Sequence, residues 1–122
     1  MSQQVLIVDD LKFMRTVIRD VLETNGFNIA GEAENGAEGL KLFEEVDPDI
    51  VLLDITMPVM DGITALREIK KIDPTARVIM CSALGQQEYI IKAIQLGARD
   101  FIVKPFNPER IISALQKAVQ CG

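Results

Sequence analysis

Ile50-Val51-Leu52-Leu53-Asp54 is an unbroken apolar run closed by a carboxylate. Three other runs also end in polar residues: Val5-Leu6-Ile7-Val8 before Asp9-Asp10, Val78-Ile79-Met80-Cys81 before Ser82, and Phe101-Ile102-Val103 before Lys104-Pro105. Short runs that are apolar throughout are expected of strands inside a parallel sheet with helices on both faces. If these strands are parallel, three carboxylates, a hydroxyl and an ammonium emerge at one edge. Such a set can hold a divalent cation, supply a nucleophile and clamp a phosphate.

The segments between the runs read as helices, giving five strand–helix alternations. Phe13, Val17 and Val21, with Met14, Ile18 and Leu22, form an apolar stripe at helical spacing, stopped by Gly26. A weaker strand, residues 27–33, carries Asn28 and Glu32 and suits a sheet edge. Ala37, Leu40, Phe43 and Val46 mark the second helix, ended by Asp47-Pro48, and Asp61-Gly62 opens the third, with Ile63, Leu66 and Ile69 facing in. The fourth runs from Glu88 to Leu96 before Gly97, with Ile91 expected in the core and Ile90 outside it. Asn107 caps the fifth and Pro108 takes its first position, ahead of Ile111, Ile112, Leu115 and Val119. Alternating units of this kind make right-handed crossovers and a doubly wound α/β fold. Ligands of such sheets bind beyond the carboxyl ends of the strands, where the polar residues cluster.

Composition narrows the function. The 122 residues suit one domain, and 48% are hydrophobic, enough for a core without staples. A net charge of −5 without a basic run argues against nucleic acid as a direct partner. No apolar stretch approaches the ~20 residues of a membrane span, and Met1-Ser2-Gln3-Gln4 does not read as a secretory signal. Cys81 inside an apolar run and Cys121 near the end suit a reduced, cytoplasmic setting. There is no histidine, so any phosphoryl group must come from a partner or a small molecule.

Taken singly, the polar residues have ordinary explanations. Asp9-Asp10 could cap the first helix, Ser82 could cap the fourth, and Lys104 could be a solvated loop residue. Taken together at one edge, they form a site. Three carboxylates in one crevice repel, so without a cation at least one should have a raised pKa. Magnesium relieves this through oxygen ligands. Asp54, alone on the central strand, is the expected nucleophile and would form an aspartyl-phosphate. Lys104, the Ser82 hydroxyl and the Ala83 backbone N–H are the expected phosphoryl partners. Glu34 reads as a solvated loop acid.

At these residues the chain resembles the response-regulator receiver family. The match rests on Val8-Asp9-Asp10, Asp54-Ile55-Thr56-Met57-Pro58 with Asp61-Gly62, Ser82-Ala83 and Lys104-Pro105-Phe106. It covers the whole chain in order. The resemblance implies a flavodoxin-like (βα)5 fold, a five-stranded parallel sheet of order 2-1-3-4-5, and a single receiver domain over residues 1–122 with no output domain. It implies Asp54 as phosphoacceptor, with Mg2+ held by Asp10, Asp54 and the Thr56 backbone carbonyl and by Asp9 through water. It implies Lys104 as the phosphate-binding lysine, joined to Pro105 by a cis bond. Ser82 would be the switch hydroxyl and Phe101 the switch aromatic, which turns inward as the hydroxyl moves. Phe101 lacks the phenolic hydroxyl that tyrosine provides in many relatives.

The resemblance is strongest to stand-alone chemotaxis receivers. It implies a regulatory protein, not an enzyme in the usual sense, though one that catalyses its own phosphorylation and slow dephosphorylation. A CheA-like histidine kinase would be the phosphodonor and the flagellar motor switch the target. Ile90, Ile91 and Ile94 span more of the fourth helix than one core stripe needs, so Ile90 is expected as a partner contact beside Phe101. Thr56 and Leu84 flank the site and tune phosphoryl lifetime in the family. Leu84 cannot hold a water by hydrogen bonding, so modest hydrolysis aided by a separate phosphatase is expected. A receiver in another relay shares the same chemistry. An aspartate-nucleophile phosphatase wants a second acid where Thr56 stands, and a nucleotide-binding domain wants a glycine-rich loop where Asp9-Asp10-Leu11-Lys12 stands.

Overall fold

A computed structural model describes residues 3–83 and 85–120. Leu84, expected to flank the phosphoryl site, lies outside the described residues, as do Met1, Ser2, Cys121 and Gly122. The strands are β1 (Gln4–Val8), β2 (Asn28–Ala33), β3 (Ile50–Asp54), β4 (Val78–Ser82) and β5 (Asp100–Val103). They alternate with α1 (Lys12–Thr24), α2 (Gly36–Val46), α3 (Gly62–Ile72), α4 (Gln87–Gln95) and α5 (Pro108–Gln120). All pairings are parallel, in the order β2-β1-β3-β4-β5. This is the doubly wound fold and strand order expected from the sequence.

Side chains alternate across each strand, so the apolar runs feed two cores. Leu6, Val8, Val51, Leu53, Val78 and Met80 pack with residues of α2, α3 and α4. Val5, Ile7, Ile50, Leu52, Ile79, Cys81 and Ile102 pack with residues of α1 and α5. The runs look uniformly apolar because both faces are covered. Among the described residues, no helix is long and apolar enough to cross a membrane.

Local chemistry sets the element ends. Asn35 Oδ1 accepts the Glu38 N–H at 2.9 Å, and Asp61 Oδ1 accepts the Thr64 N–H at 2.8 Å, capping α2 and α3. Gly26 and Gly97 follow α1 and α4 with φ of +85° and +101°, the left-handed stop that glycine permits.

Two helix faces differ from expectation. Phe13 is 75% exposed, whereas Ile18 and Leu22 are buried. At 3.6 residues per turn Phe13 lies roughly 140° around α1 from Ile18 and misses the sheet. On α4 the register is fixed by Ala93, the buried residue of that helix. Ile90, one turn before it, packs on the core. Ile91, roughly 200° from Ala93, is 59% exposed. The expected inward Ile91 and outward Ile90 are therefore exchanged.

Candidate functional site

The carboxyl ends of β1, β3, β4 and β5 converge on one crevice. Ladder pairing sets Val8 beside Leu53 and Asp54 beside Cys81, so Asp9, Asp54 and Ser82 occupy adjacent strand ends. Asp9 and Asp54 are buried, while Asp10 is exposed at the rim. One carboxylate oxygen from each of these three acids lies within 4.8 Å of the other two. An all-oxygen donor set of this kind suits a hard divalent cation.

Lys104 Nζ reaches back into the crevice, 3.1 Å from Asp9 Oδ2 and 3.2 Å from Asp54 Oδ2. It also lies 5.9 Å from the centroid of the Phe106 ring. Its backbone N–H donates to the Ser82 carbonyl at 2.7 Å, and the Lys104–Pro105 peptide is cis. Lys104 is thus an ion-paired residue of the crevice. Burial opposes its charge, but Asp54 and Asp9 overcome this and raise its pKa.

Asp54 has a pKa raised to about 6. Burial is the largest cause, the Asp9 charge adds to it, Lys104 opposes it, and Asp10 contributes least. Mutual repulsion of the three carboxylates is the cause expected from sequence, but desolvation is the larger effect. The start of α3 packs closely on the backbone of this strand end. A Cβ at Gly62 would stand 2.9 Å from Ile55 Cα and collide with the Asp54 carbonyl oxygen. Only glycine lets α3 begin there, and its N–H donates to the Ile55 carbonyl at 2.7 Å.

The β3–α3 loop is fixed at a second point, where the Gly36 N–H donates to the Met60 carbonyl at 3.0 Å. Between these anchors Met60 N–H donates to the Pro58 carbonyl at 2.7 Å, closing a three-residue turn centred on Val59. Val59 has φ +68° and is 84% exposed, a strained conformation for a β-branched residue.

The remaining polar residues divide between ordinary roles and places in the crevice. Asp9 Oδ1 accepts the Leu11 N–H at 2.9 Å, ahead of α1, and Arg15 Nη1 donates to the Asp9 carbonyl at 2.7 Å. Arg15 and Arg19 both pair with Glu32 on β2, bracing α1 against the sheet edge. Among the described residues Ser82 Oγ is buried without a hydrogen-bond partner, so it caps none of them. Glu34 is exposed. The burial of Cys81 pushes its thiol pKa well up, with Asp54 and Asp9 adding to this and Lys104 opposing it.

One residue escaped the sequence reading. Gln86 Oε1 accepts the Ala83 N–H at 2.7 Å, and Gln86 Nε2 donates to Thr56 Oγ1 at 2.7 Å. The carboxamide therefore bridges the β3 and β4 loops. Beyond it, Ala83, Gln86, Ile90, Ile91, Phe101 and Val103 line a largely apolar groove of about 410 Å³.

The family model described as response regulator receiver domain matches residues 5–116. The chain is 57% identical over 119 residues to the chemotaxis protein CheY of Bacillus subtilis strain 168, covering 98% of this chain and 99% of that one. It is 55% identical over 117 residues to the CheY of Thermotoga maritima, covering 96% and 98%. Among solved structures, a chain of the CheX-CheY-BeF3-Mg+2 complex from Borrelia burgdorferi matches with a TM-score of 0.91 at 40% identity, covering 94% of this chain and 87% of that one. The acids and lysine at one sheet edge, the strand order and these similarities agree: the chain belongs to the response-regulator receiver family.

Proposed function

We propose that this receiver is a phosphorylation-activated switch of chemotaxis in which Asp54 is the phosphoacceptor. The observation that carries the assignment is the contact of Lys104 Nζ with the Asp54 carboxylate inside a three-acid crevice. With a pKa of about 6, Asp54 is largely ionised at neutral pH and available as a nucleophile. Its oxygen bonds to the phosphorus of a donor phosphohistidine as the P–N bond breaks. The electron pair leaves with the imidazole, which then takes up a proton. Lys104 turns its charge from the resting carboxylates toward the phosphoryl oxygens, and catalysis is mainly positioning and neutralisation. Self-catalysed transfer and slow hydrolysis at this site are part of the proposal.

Asp9, Asp10, Asp54 and the Thr56 carbonyl are the residues that would hold Mg2+, and their oxygen-only chemistry fits that ion. Bound Mg2+ would neutralise carboxylate and phosphoryl charge. The Ser82 hydroxyl, unpaired at rest, gains an acceptor when a phosphoryl group arrives. Its movement and that of Phe101 would bias an existing equilibrium toward the target-binding form.

The similarity to CheY proteins supports a CheA-like histidine kinase as donor, the flagellar motor switch as target and a cytoplasmic location. A separate phosphatase completes the cycle, a reading favoured by likeness to the complex containing CheX. The groove beside Ile90 and Phe101 is the proposed docking face.

The test is intact mass after incubation with Mg2+ and acetyl phosphate. The wild type should gain one phosphoryl group, and Asp54→Asn or a metal chelator should abolish the gain. Equal uptake by Asp54→Asn would refute Asp54 as acceptor.

A further inference from the structure

We infer that Gln86 is a latch holding the phosphoryl site closed in the resting protein, an inference that rests on Asp54 being the phosphoacceptor. The Ala83 N–H is the backbone donor beside Ser82 that a phosphoryl oxygen needs. In this structure it is engaged by Gln86 Oε1 at 2.7 Å. One N–H cannot make two short, linear bonds, so an oxygen arriving on Asp54 must displace the carboxamide. The same movement breaks the second bond, from Gln86 Nε2 to Thr56 Oγ1 at 2.7 Å. Thr56 follows the acceptor by two residues on the β3 loop, whereas Ala83 lies on the β4 loop. The carboxamide therefore ties together the two loops between which the phosphoryl group enters.

The geometry gives the side chain a specific job. Its length from Cα lets a single amide accept from one loop and donate to the other. Asparagine is one methylene shorter and cannot span both partners without backbone movement. Alanine would free both loops, and methionine would keep the bulk while removing both bonds. Gln86 is half-buried at the surface, so these changes leave the core intact. It acts through Ala83 and Thr56 and is a positioning residue.

The experiment titrates beryllofluoride with Mg2+, a tetrahedral phosphoryl mimic, into wild type, Gln86→Met, Gln86→Ala, Thr56→Val and Asp54→Asn. The Ala83 amide exchange rate is measured in the mimic-free proteins. Gln86→Met should raise affinity about fivefold, the combined effect of two exposed bonds each at the weak end of the range for a net hydrogen bond, and speed exchange at Ala83. Thr56→Val, which loses one of the two bonds, should give a smaller rise. Unchanged affinity in Gln86→Met beside normal binding by wild type overturns the latch. So does a rise in Gln86→Ala alone, which would mean simple steric shielding. A fall in affinity also overturns it by making Gln86 a supporter of the bound state. If wild type binds no better than Asp54→Asn, the acceptor assignment itself has failed, an outcome distinct from failure of the latch.

Discussion

Asp54→Asn should make the metal-free protein more stable at neutral pH, although it removes the proposed phosphoacceptor. Asp54 is 6% exposed and shares its crevice with the Asp9 carboxylate. Its pKa rises from 3.8 to about 6, mainly through burial. A raised carboxyl favours folding while protonated. That contribution is complete below the unfolded value and is lost as pH rises through the folded one. Above both values the ionised side chain costs the fold about 3 kcal/mol. Asparagine is nearly isosteric and does not titrate. Its advantage should be about 3 kcal/mol at pH 8, decline through pH 6 and vanish near pH 4. For a chain of this size that corresponds to roughly 10 °C in melting midpoint. Urea unfolding in a chelator, repeated from pH 4 to pH 8, provides the assay. A variant no more stable than wild type at pH 8, or an advantage that does not shrink on acidification, would refute the reasoning.

Lys104→Ala should have the opposite effect in the same assay. It removes the cation that offsets Asp9 and Asp54, and at pH 7 should cost about 2 kcal/mol, below the usual value for a fully buried pair because Lys104 is partly exposed. Gly62→Ala forces a methyl into the Asp54 carbonyl and should destabilise by about 3 kcal/mol while weakening Mg2+ binding measured by calorimetry. Val59→Gly releases strain of ~1–3 kcal/mol against an entropy cost of ~1 kcal/mol, so the urea midpoint should hold or rise. Ile91→Asp should leave stability within about 0.5 kcal/mol and abolish target capture by the phosphorylated protein. Ile90→Asp should unfold part of α4, seen as lost helical circular dichroism, because that side chain packs on the core.

Most of the site was legible because parallel strands align their ends. Once Val5–Val8, Ile50–Leu53, Val78–Cys81 and Phe101–Val103 are read as neighbouring strands, Asp9, Asp54, Ser82 and Lys104 must share an edge. The rest depends on distances that no periodicity encodes. Gln86 sits in Gly85-Gln86-Gln87 and looks like an ordinary polar loop until the β3 loop is brought beside it. Ile90, Ile91 and Ile94 are equally apolar, so the face of α4 was decided by the small Ala93, which lets that helix approach the sheet. Phe13 was misassigned because an aromatic at helical spacing looks like core even when the stripe ends before it. Asp61-Gly62 was legible as a helix start, but the collision that forbids a Cβ at Gly62 appears only with the backbone of Asp54 in place.

The two walls of the crevice are held by bonds of different kinds, and this separates them in time. The β3–α3 loop is pinned through main-chain atoms, Gly36 to Met60 and Gly62 to Ile55, so shifting it means disturbing the first turns of two helices. Such openings belong to the microsecond-to-second range of local unfolding. Across the crevice, the Ala83 N–H is engaged by a side-chain carboxamide. Breaking that side-chain bond needs no main-chain rearrangement, so its release is faster than the opening of the β3–α3 loop. If Asp54 is the acceptor, a phosphodonor meets one wall held by main-chain bonds and another that opens when a single side chain lets go. Under the proposed assignment, the slow wall keeps Asp54 aimed while the faster wall yields to an incoming phosphoryl group.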